Sequence, residues 1–285
     1  MNKVYACIDG QTNTSAVIAG AGWAAQRLDV ALEFLHVLER QPERAAMADY
    51  SGTIGLGAQD ALLQELSELD ERRSKLAQEA GRRLLAAARG RVAAAGLTRV
   101  DGRMRHGDLA TTAMELEPDA RLFVLGEHHR ASKSARIHLD HHVERLIRSV
   151  HRPVLVVPGD SFTAPQRVVI AFDGSPTARK TVERVGASLL LTGLPVLVAM
   201  AGVNVPRAAR GQLDQVHQFL AASGFSTATQ LLDGEPEATF PALVNAPGTL
   251  LVMGAYDHSR IREFIVGSTT TTLLRKSEVP VLLLR

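Results

Sequence analysis

Along this chain, short unbroken apolar runs alternate with longer stretches whose apolar residues recur every three or four positions. A short run without polar interruption fits a strand buried on both faces, and the three-to-four spacing fits a helix with one buried side. In the carboxyl-terminal half the pattern predicts strands at 168–172, 196–200, 227–232, 250–253 and 281–284. Helices are predicted between them at 177–191, 205–222, 235–244 and 267–276. Regular alternation of this kind specifies a parallel, doubly wound sheet with helices on both faces.

The same pattern is written twice. Val4-Tyr-Ala-Cys-Ile-Asp9-Gly10 matches Val168-Val-Ile-Ala-Phe-Asp173-Gly174, and Leu122-Phe-Val-Leu-Gly126 matches Leu250-Leu-Val-Met-Gly254. Arg152-Pro-Val-Leu-Val-Val matches Val279-Pro-Val-Leu-Leu-Leu, and Gly107-Asp108 corresponds to Gly234-Glu235. Four landmarks in one order make two homologous halves, 1–160 and 166–285, joined by the Gly/Ser/Thr/Pro-bearing stretch 159–166. Each half is expected to carry a five-stranded parallel sheet. The first half is longer because of 58–95, whose leucines at 62, 63, 66, 69, 76, 84 and 85 stand at helical spacing among charges. That stretch predicts a long amphipathic helix, with 52–57 as a flexible loop before it.

Composition narrows the function. The 285 residues are 46% hydrophobic and 22% charged, an ordinary globular balance, and 32 basic residues against 30 acidic ones give a net charge of only +2. Such a charge points away from nucleic acid and anionic membranes as main partners and toward small ligands or proteins. No apolar run approaches the ~18 residues of a membrane span, and the amino-terminal stretch lacks a signal-peptide core. With a single cysteine, Cys7, no intrachain disulfide can form, and a cytoplasmic location is expected.

The chemistry concentrates where strands end. In a doubly wound sheet ligands sit beyond the carboxyl ends of the strands, near the point where strand order reverses. Asp173, Met200, Gly254 and the helix start Gly267-Ser268-Thr269 are all predicted at that edge. The first N–H groups of a helix lack partners within it and carry the positive end of its dipole, so they hold an anion. A glycine there lets a phosphate approach, and Ser268 and Thr269 add hydroxyl donors. Asp173 has two readings. It either closes the strand-to-helix turn or accepts hydrogen bonds from an adenine or ribose.

Other candidates carry less. Gly20-Ala-Gly22 falls inside the first helix rather than at a strand-to-helix turn, so it is read as close helix packing and not as a dinucleotide fingerprint. No GxxxxGK[ST] cradle and no GxSxG elbow occurs. His128, His129, His138, His141, His142 and His151 crowd one region, but no cysteine or carboxylate stands at a zinc spacing from them. They read as solvated loop histidines, with no metal assigned.

The repeat, the strand-end Asp-Gly and the glycine-spaced block from Gly254 to Ser268 before a Val-Pro-Val-Leu strand together resemble the universal stress protein family. The resemblance covers nearly the whole chain, twice, as in a tandem member. It implies two flavodoxin-like, adenine nucleotide alpha hydrolase-like domains. It also implies a cytoplasmic stress-response protein that binds ATP, with Mg²⁺ as a possible companion, as a regulatory ligand and without catalysis. Adenosine would lie near Asp173 and the backbone of Met200, ribose and phosphates at Gly254 and its loop, and phosphates at Gly267, Ser268 and Thr269. The resemblance further implies an internal pseudo-dimer through edge strands 153–157 and 281–284, and leaves open whether two chains associate.

One position departs from the family pattern. Asp257 stands where the second glycine belongs, close to the expected phosphates. At ~4 Å and an effective dielectric of ~20 its repulsion of a phosphate charge is about 4 kcal/mol, falling to about 1 kcal/mol where water screens it. Arg260 and Arg262, or a Mg²⁺ bridging Asp257 to phosphate, would offset it. The first half departs further, with Glu127, His128 and His129 after Gly126 and Asp140-His141 in place of Gly-Ser, so its site is expected to be structural or to take something else. The alternative function is an interaction module that has lost nucleotide binding. A slow ATPase ranks last, because no general base is assignable.

Overall fold

Ten strands and eight helices alternate among the described residues, which in the computed structural model are 2–39, 56–127, 141–203, 207–255 and 268–285. The first half runs β1 (Lys3–Cys7), α1 (Thr14–Leu28), β2 (Leu32–Leu38), α2 (Leu56–Ala94), β3 (Val100–His106), α3 (Leu109–Leu116), β4 (Ala120–Glu127), α4 (His141–Ser149) and β5 (Val154–Pro158). The second runs β6 (Arg167–Ala171), α5 (Pro176–Gly186), β7 (Val196–Gly202), α6 (Arg207–Ala222), β8 (Thr227–Asp233), α7 (Pro236–Val244), β9 (Thr249–Gly254), α8 (Ser268–Lys276) and β10 (Val281–Leu284).

All ten strands join one sheet in the order β3-β2-β1-β4-β5-β10-β9-β6-β7-β8. Within each half the pairing is parallel, and strand order reverses between β1 and β4 and again between β6 and β9. The junction is antiparallel: Val281 lies opposite Val156, Leu282 opposite Leu155 and Leu283 opposite Val154. These are the two edge strands singled out in the sequence. Both are fully buried, which accounts for their continuous apolar character.

The side chains alternate between two core layers that each run across both halves. On one face Val4, Ala6, Ile8, Val168 and Ile170 meet α1, α2, α5 and α6; on the other Tyr5, Cys7, Val169, Leu251 and Met253 meet α3, α4, α7 and α8. Further contacts fasten the halves. Arg27 donates to the backbone carbonyl of Leu190 at 2.6 Å, Arg285 donates to that of Val150 at 2.6 Å, and Phe162 of the connecting stretch packs on Trp23 at 5.8 Å between ring centroids. Gly20 sits in that contact, where a Cβ would stand 3.1 Å from Val157 and 3.2 Å from Phe162, so the small residues of α1 serve close packing.

Two boundaries differ from the sequence pattern. Helix α5 stops at Gly186, short of 191, and its end lies tight against α6: a Cβ on Gly186 would stand 2.8 Å from Phe219. The following leucines instead fold into turns that bury Leu190 and Leu191 and leave Leu189 exposed. Helix α2 starts at Leu56, so Leu56 and Gly57 belong to it rather than to the loop expected at 52–57, of which 52–55 fall outside the described residues.

One buried acid breaks the apolar rule in β2. Glu33, 2% exposed, receives Lys3 Nζ from β1 at 2.9 Å and Arg103 from β3. Strands on both sides supply a cation, which is how a carboxylate is held inside a sheet. The hydrogen bond to Glu33 raises the Lys3 pKa above its ordinary value, against the opposing effect of partial burial.

Candidate functional site

The strand-order reversal between β6 and β9 opens a cavity of about 360 Å³ at the carboxyl edge of the second half. That volume lies within the ~300–1,000 Å³ of small-molecule sites. Its floor and sides are Phe172, Ala201, Phe240, Met253 and Leu273; polar groups of Asp173, Ser175, Thr177, Thr269 and Thr270 stand at the rim. An apolar body with a few convergent polar groups suits a ligand that has both a ring and a hydrophilic part.

Each polar group is placed by a local rule. Asp173 ends β6, and one carboxylate oxygen accepts the backbone N–H of Ser175 at 2.9 Å, closing the turn through Gly174 at φ +77°. Ser175 then caps α5, accepting from the N–H of Ala178 at 3.1 Å, with Pro176 as the first helical residue. Asp173 is exposed, so its turn role leaves a carboxylate oxygen facing the cavity mouth. In the first half Asp9 makes the same bond to the N–H of Gln11 at 2.9 Å, so the turn role belongs to both copies.

Gly254 ends β9 against α5. A Cβ there would stand 2.8 Å from Thr177 Cγ2 and 2.9 Å from Thr181 Oγ1, and the strand can close on the helix only without one. Thr181 is held in place by donating its hydroxyl to the carbonyl of Thr177 at 2.9 Å.

Of the residues expected at this site, Asp173, Gly254 and Thr269 line the cavity together. Ser268 is the first residue of α8, and Thr269 and Thr270 of the same turn reach the cavity. Met200 lies in β7 with its buried side chain in the core, and the neighbouring Ala201 forms that part of the wall. Asp257, Gly267, Arg260 and Arg262 lie outside the described residues.

Sequence reading did not find Thr177, Pro236, Phe240 or Glu237. The start of α7 lies beside the start of α8, and Glu237 in its first turn accepts the hydroxyl of Thr269 at 3.1 Å. A second carboxylate therefore stands near the helix start read as a phosphate site. The signal was present in Gly234-Glu235-Pro236, a helix start at the same sheet edge, but its proximity to Thr269 is a tertiary fact.

At the equivalent place in the first half a different residue faces the strand-end glycine. Asn13, matching Thr177 in the repeat, is 3% exposed and sits directly against Gly126, in the space a Cβ would take. Around it, Glu127 is buried, His142 faces Glu39 at 3.3 Å, and Arg145 pairs with Asp108 at 2.6 Å. His128, His129 and His138 lie outside the described residues; among those described, no group of three or more histidine, cysteine or acidic side chains could hold a metal ion. No helix among the described residues is long and apolar enough to cross a membrane.

Comparison with known proteins shows the family and the fold. The model of the Universal stress protein family matches twice, over residues 1–158 and 165–285. The universal stress protein Slr1230 of Synechocystis sp. is 32% identical over 288 residues, covering all of both chains. Among solved structures, a universal stress protein from Archaeoglobus fulgidus superposes with a TM-score of 0.69 at 19% identity, covering 100% of this chain and 98% of the other. A protein of unknown function from Pseudomonas aeruginosa superposes with a TM-score of 0.61 at 16% identity, covering 100% of this chain and 92% of the other.

Proposed function

Given that the chain belongs to the universal stress protein family, as two tandem domains of flavodoxin-like, adenine nucleotide alpha hydrolase-like fold, we propose that its second half binds ATP or a related adenine nucleotide as a regulatory ligand in the cavity between β6 and β9. The observation that carries the reading is the convergence of Asp173, Gly254 and the first turn of α8 on one cavity of about 360 Å³ with an apolar floor. The ring lies against Phe172, Ala201 and Met253, the ribose near Asp173 and Gly254, and the phosphates extend toward Ser268 and Thr269. The backbone at Met200 and Ala201 borders the base, and Gly267 and Asp257 complete the phosphate end, where Mg²⁺ would offset the acid. The first half, which has Asp140-His141 in place of Gly267-Ser268, is structural or takes something else.

Calorimetric titration with Mg-ATP tests the reading. Binding of one nucleotide per chain, lost on replacing Gly267 by a bulky residue, supports it; absence of binding, or binding that survives that replacement, overturns it. The proposal includes no turnover.

The second reading, an interaction module without nucleotide, draws on the Thr269 to Glu237 hydrogen bond, which sets a carboxylate beside the start of α8. It predicts that Asp257→Gly creates an ATP affinity that the natural chain lacks.

A further inference from the structure

Helix α2 is 39 residues long, about 58 Å at 1.5 Å per residue, and only its second half is packed. Gly81 marks the division. A Cβ there would stand 2.7 Å from His36 Cδ2, so the helix touches the sheet at this point, and Leu85, Ala88 and Val92 then bury against β2, β3 and α1. From 64 to 80 every residue except the half-buried Gln78 is exposed. Leu66, Leu69 and Leu76 are 40%, 43% and 70% exposed, although they lie on one stripe.

The stripe has a seven-residue period: Leu62, Leu66, Leu69, Arg73, Leu76 and Ala80 alternate four and three apart, the spacing of a coiled-coil seam. The charges beside it are arranged in blocks. Between 64 and 71 stand Glu65, Glu68, Asp70 and Glu71 with no cation; between 72 and 83 stand Arg72, Arg73, Lys75, Arg82 and Arg83 with one acid, Glu79. The ion pairs within the helix, Lys75 with Glu71 at 2.6 Å and Arg83 with Glu79 at 2.9 Å among them, are exposed. Water screens them, so they leave the block asymmetry in place.

We propose that this exposed half of α2 is a self-association element through which two copies of the chain pair their helices antiparallel. A segment that is acidic first and basic second is complementary to itself only when reversed. With a two-fold axis near Glu71, Leu66 of one copy meets Leu76 of the second, Leu69 meets the aliphatic stem of Arg73, and each acidic block faces a basic one. A parallel pair would set like charges side by side. The seam is short, so association depends on concentration.

Sedimentation equilibrium of the full chain tests this. The mass rises with concentration from 30.6 kDa toward twice that value, and raising sodium chloride weakens the association, because screening removes an attraction. Leu69→Asp with Leu76→Asp, at sites already exposed, weakens association at least tenfold while the circular dichroism stays unchanged. The triple variant Arg72→Glu, Arg73→Glu, Lys75→Glu stays monomeric, as does Glu65→Lys, Glu68→Lys, Asp70→Lys, and an equimolar mixture of the two associates. A natural chain that stays monomeric overturns the proposal. So do leucine variants that associate as well as the natural chain, an association that strengthens with salt, and a stripe that binds lipid vesicles or another protein without pairing copies.

Discussion

Replacing Gly254 by alanine adds a single methyl group at the point where β9 closes on α5. The backbone at Gly254 is not in the left-handed region, so alanine would adopt its conformation freely and the whole effect is steric. The new methyl would lie 2.8 Å from Thr177 Cγ2, 2.9 Å from Thr181 Oγ1 and 3.4 Å from the Thr177 carbonyl, against the ~3.5–4.0 Å of a relaxed contact. Neither threonine yields easily: branching at Cβ restricts its χ1, and Thr181 is tied by its hydroxyl to the Thr177 carbonyl. Helix α5 must therefore move by roughly half an ångström or more, and overpacking of this kind costs about 1–3 kcal/mol. The cavity wall carried by Thr177 and Ala178 moves with it, so nucleotide affinity falls by about tenfold, equivalent to ~1.4 kcal/mol. Thr177→Ser removes the nearer obstacle and leaves the Thr181 hydroxyl, so the double variant recovers about half of the stability loss. The assay is urea unfolding followed by far-ultraviolet circular dichroism, with calorimetric titration of Mg-ATP alongside. A Gly254→Ala chain that unfolds at the midpoint of the natural one, or a loss that Thr177→Ser leaves untouched, refutes the steric argument.

Three other outcomes follow from groups away from the cavity. Glu33→Gln removes the charge that Lys3 and Arg103 share inside the sheet; because those cations are 30% and 35% exposed and can turn to water, the cost is about 1–3 kcal/mol in a urea titration rather than the larger loss of a sealed ion pair. Burial works to raise the carboxyls of Asp108 and Glu117, but the N–H and hydroxyl of Thr111 with Arg145, and the N–H groups of His151 and Arg152, outweigh it and hold both below the ordinary range. A lowered native value means stability that is present above the unfolded value of ~4 and lost as pH falls through the native one, so thermal melts of Glu117→Gln show a lower neutral Tm and a shallower acid decline. Burial, with the nearby charge of Asp9, pushes the Cys7 thiol up to about 12, so a disulfide reagent at about pH 8 leaves the native protein unmodified and titrates one thiol per chain in urea.

Much of this architecture is legible in the chain because strands buried on both faces must be written as unbroken apolar runs. The matched pairs Asp9-Gly10 with Asp173-Gly174 and Gly126 with Gly254 mark where those strands end. The turn chemistry needs the same residues in both halves, so the repeat is visible without any structure. What stayed hidden depends on residues distant in the chain. Leucines after Gly186 continue the helical spacing, yet α5 stops there and Leu190 and Leu191 bury from turns instead. Glu33 looks out of place in β2 until Lys3 and Arg103 arrive from its neighbours. That Ala201 joins Met200 at the sheet edge depends on alternation along β7, which turns the methionine side chain into the core and the alanine into the cavity wall. Glu237 and Thr269 meet only because α7 and α8 start side by side, and Asn13 meets Gly126 only across the β1 to β4 step.

The antiparallel join of β5 and β10 has a consequence for how the two clefts can differ. When two identical subunits pair through such strands, any substitution is imposed on both clefts at once, and a plug in one is a plug in the other. A single chain that contains both partners is released from that symmetry. Asparagine can stand against one strand-end glycine at position 13 and threonine against the other at position 177, and the sheet between them still hydrogen-bonds as though the halves were alike. Because the strands reverse direction at the join, the two clefts also open toward opposite edges of the sheet. Either half can therefore change its strand-end residues without obstructing access to the other.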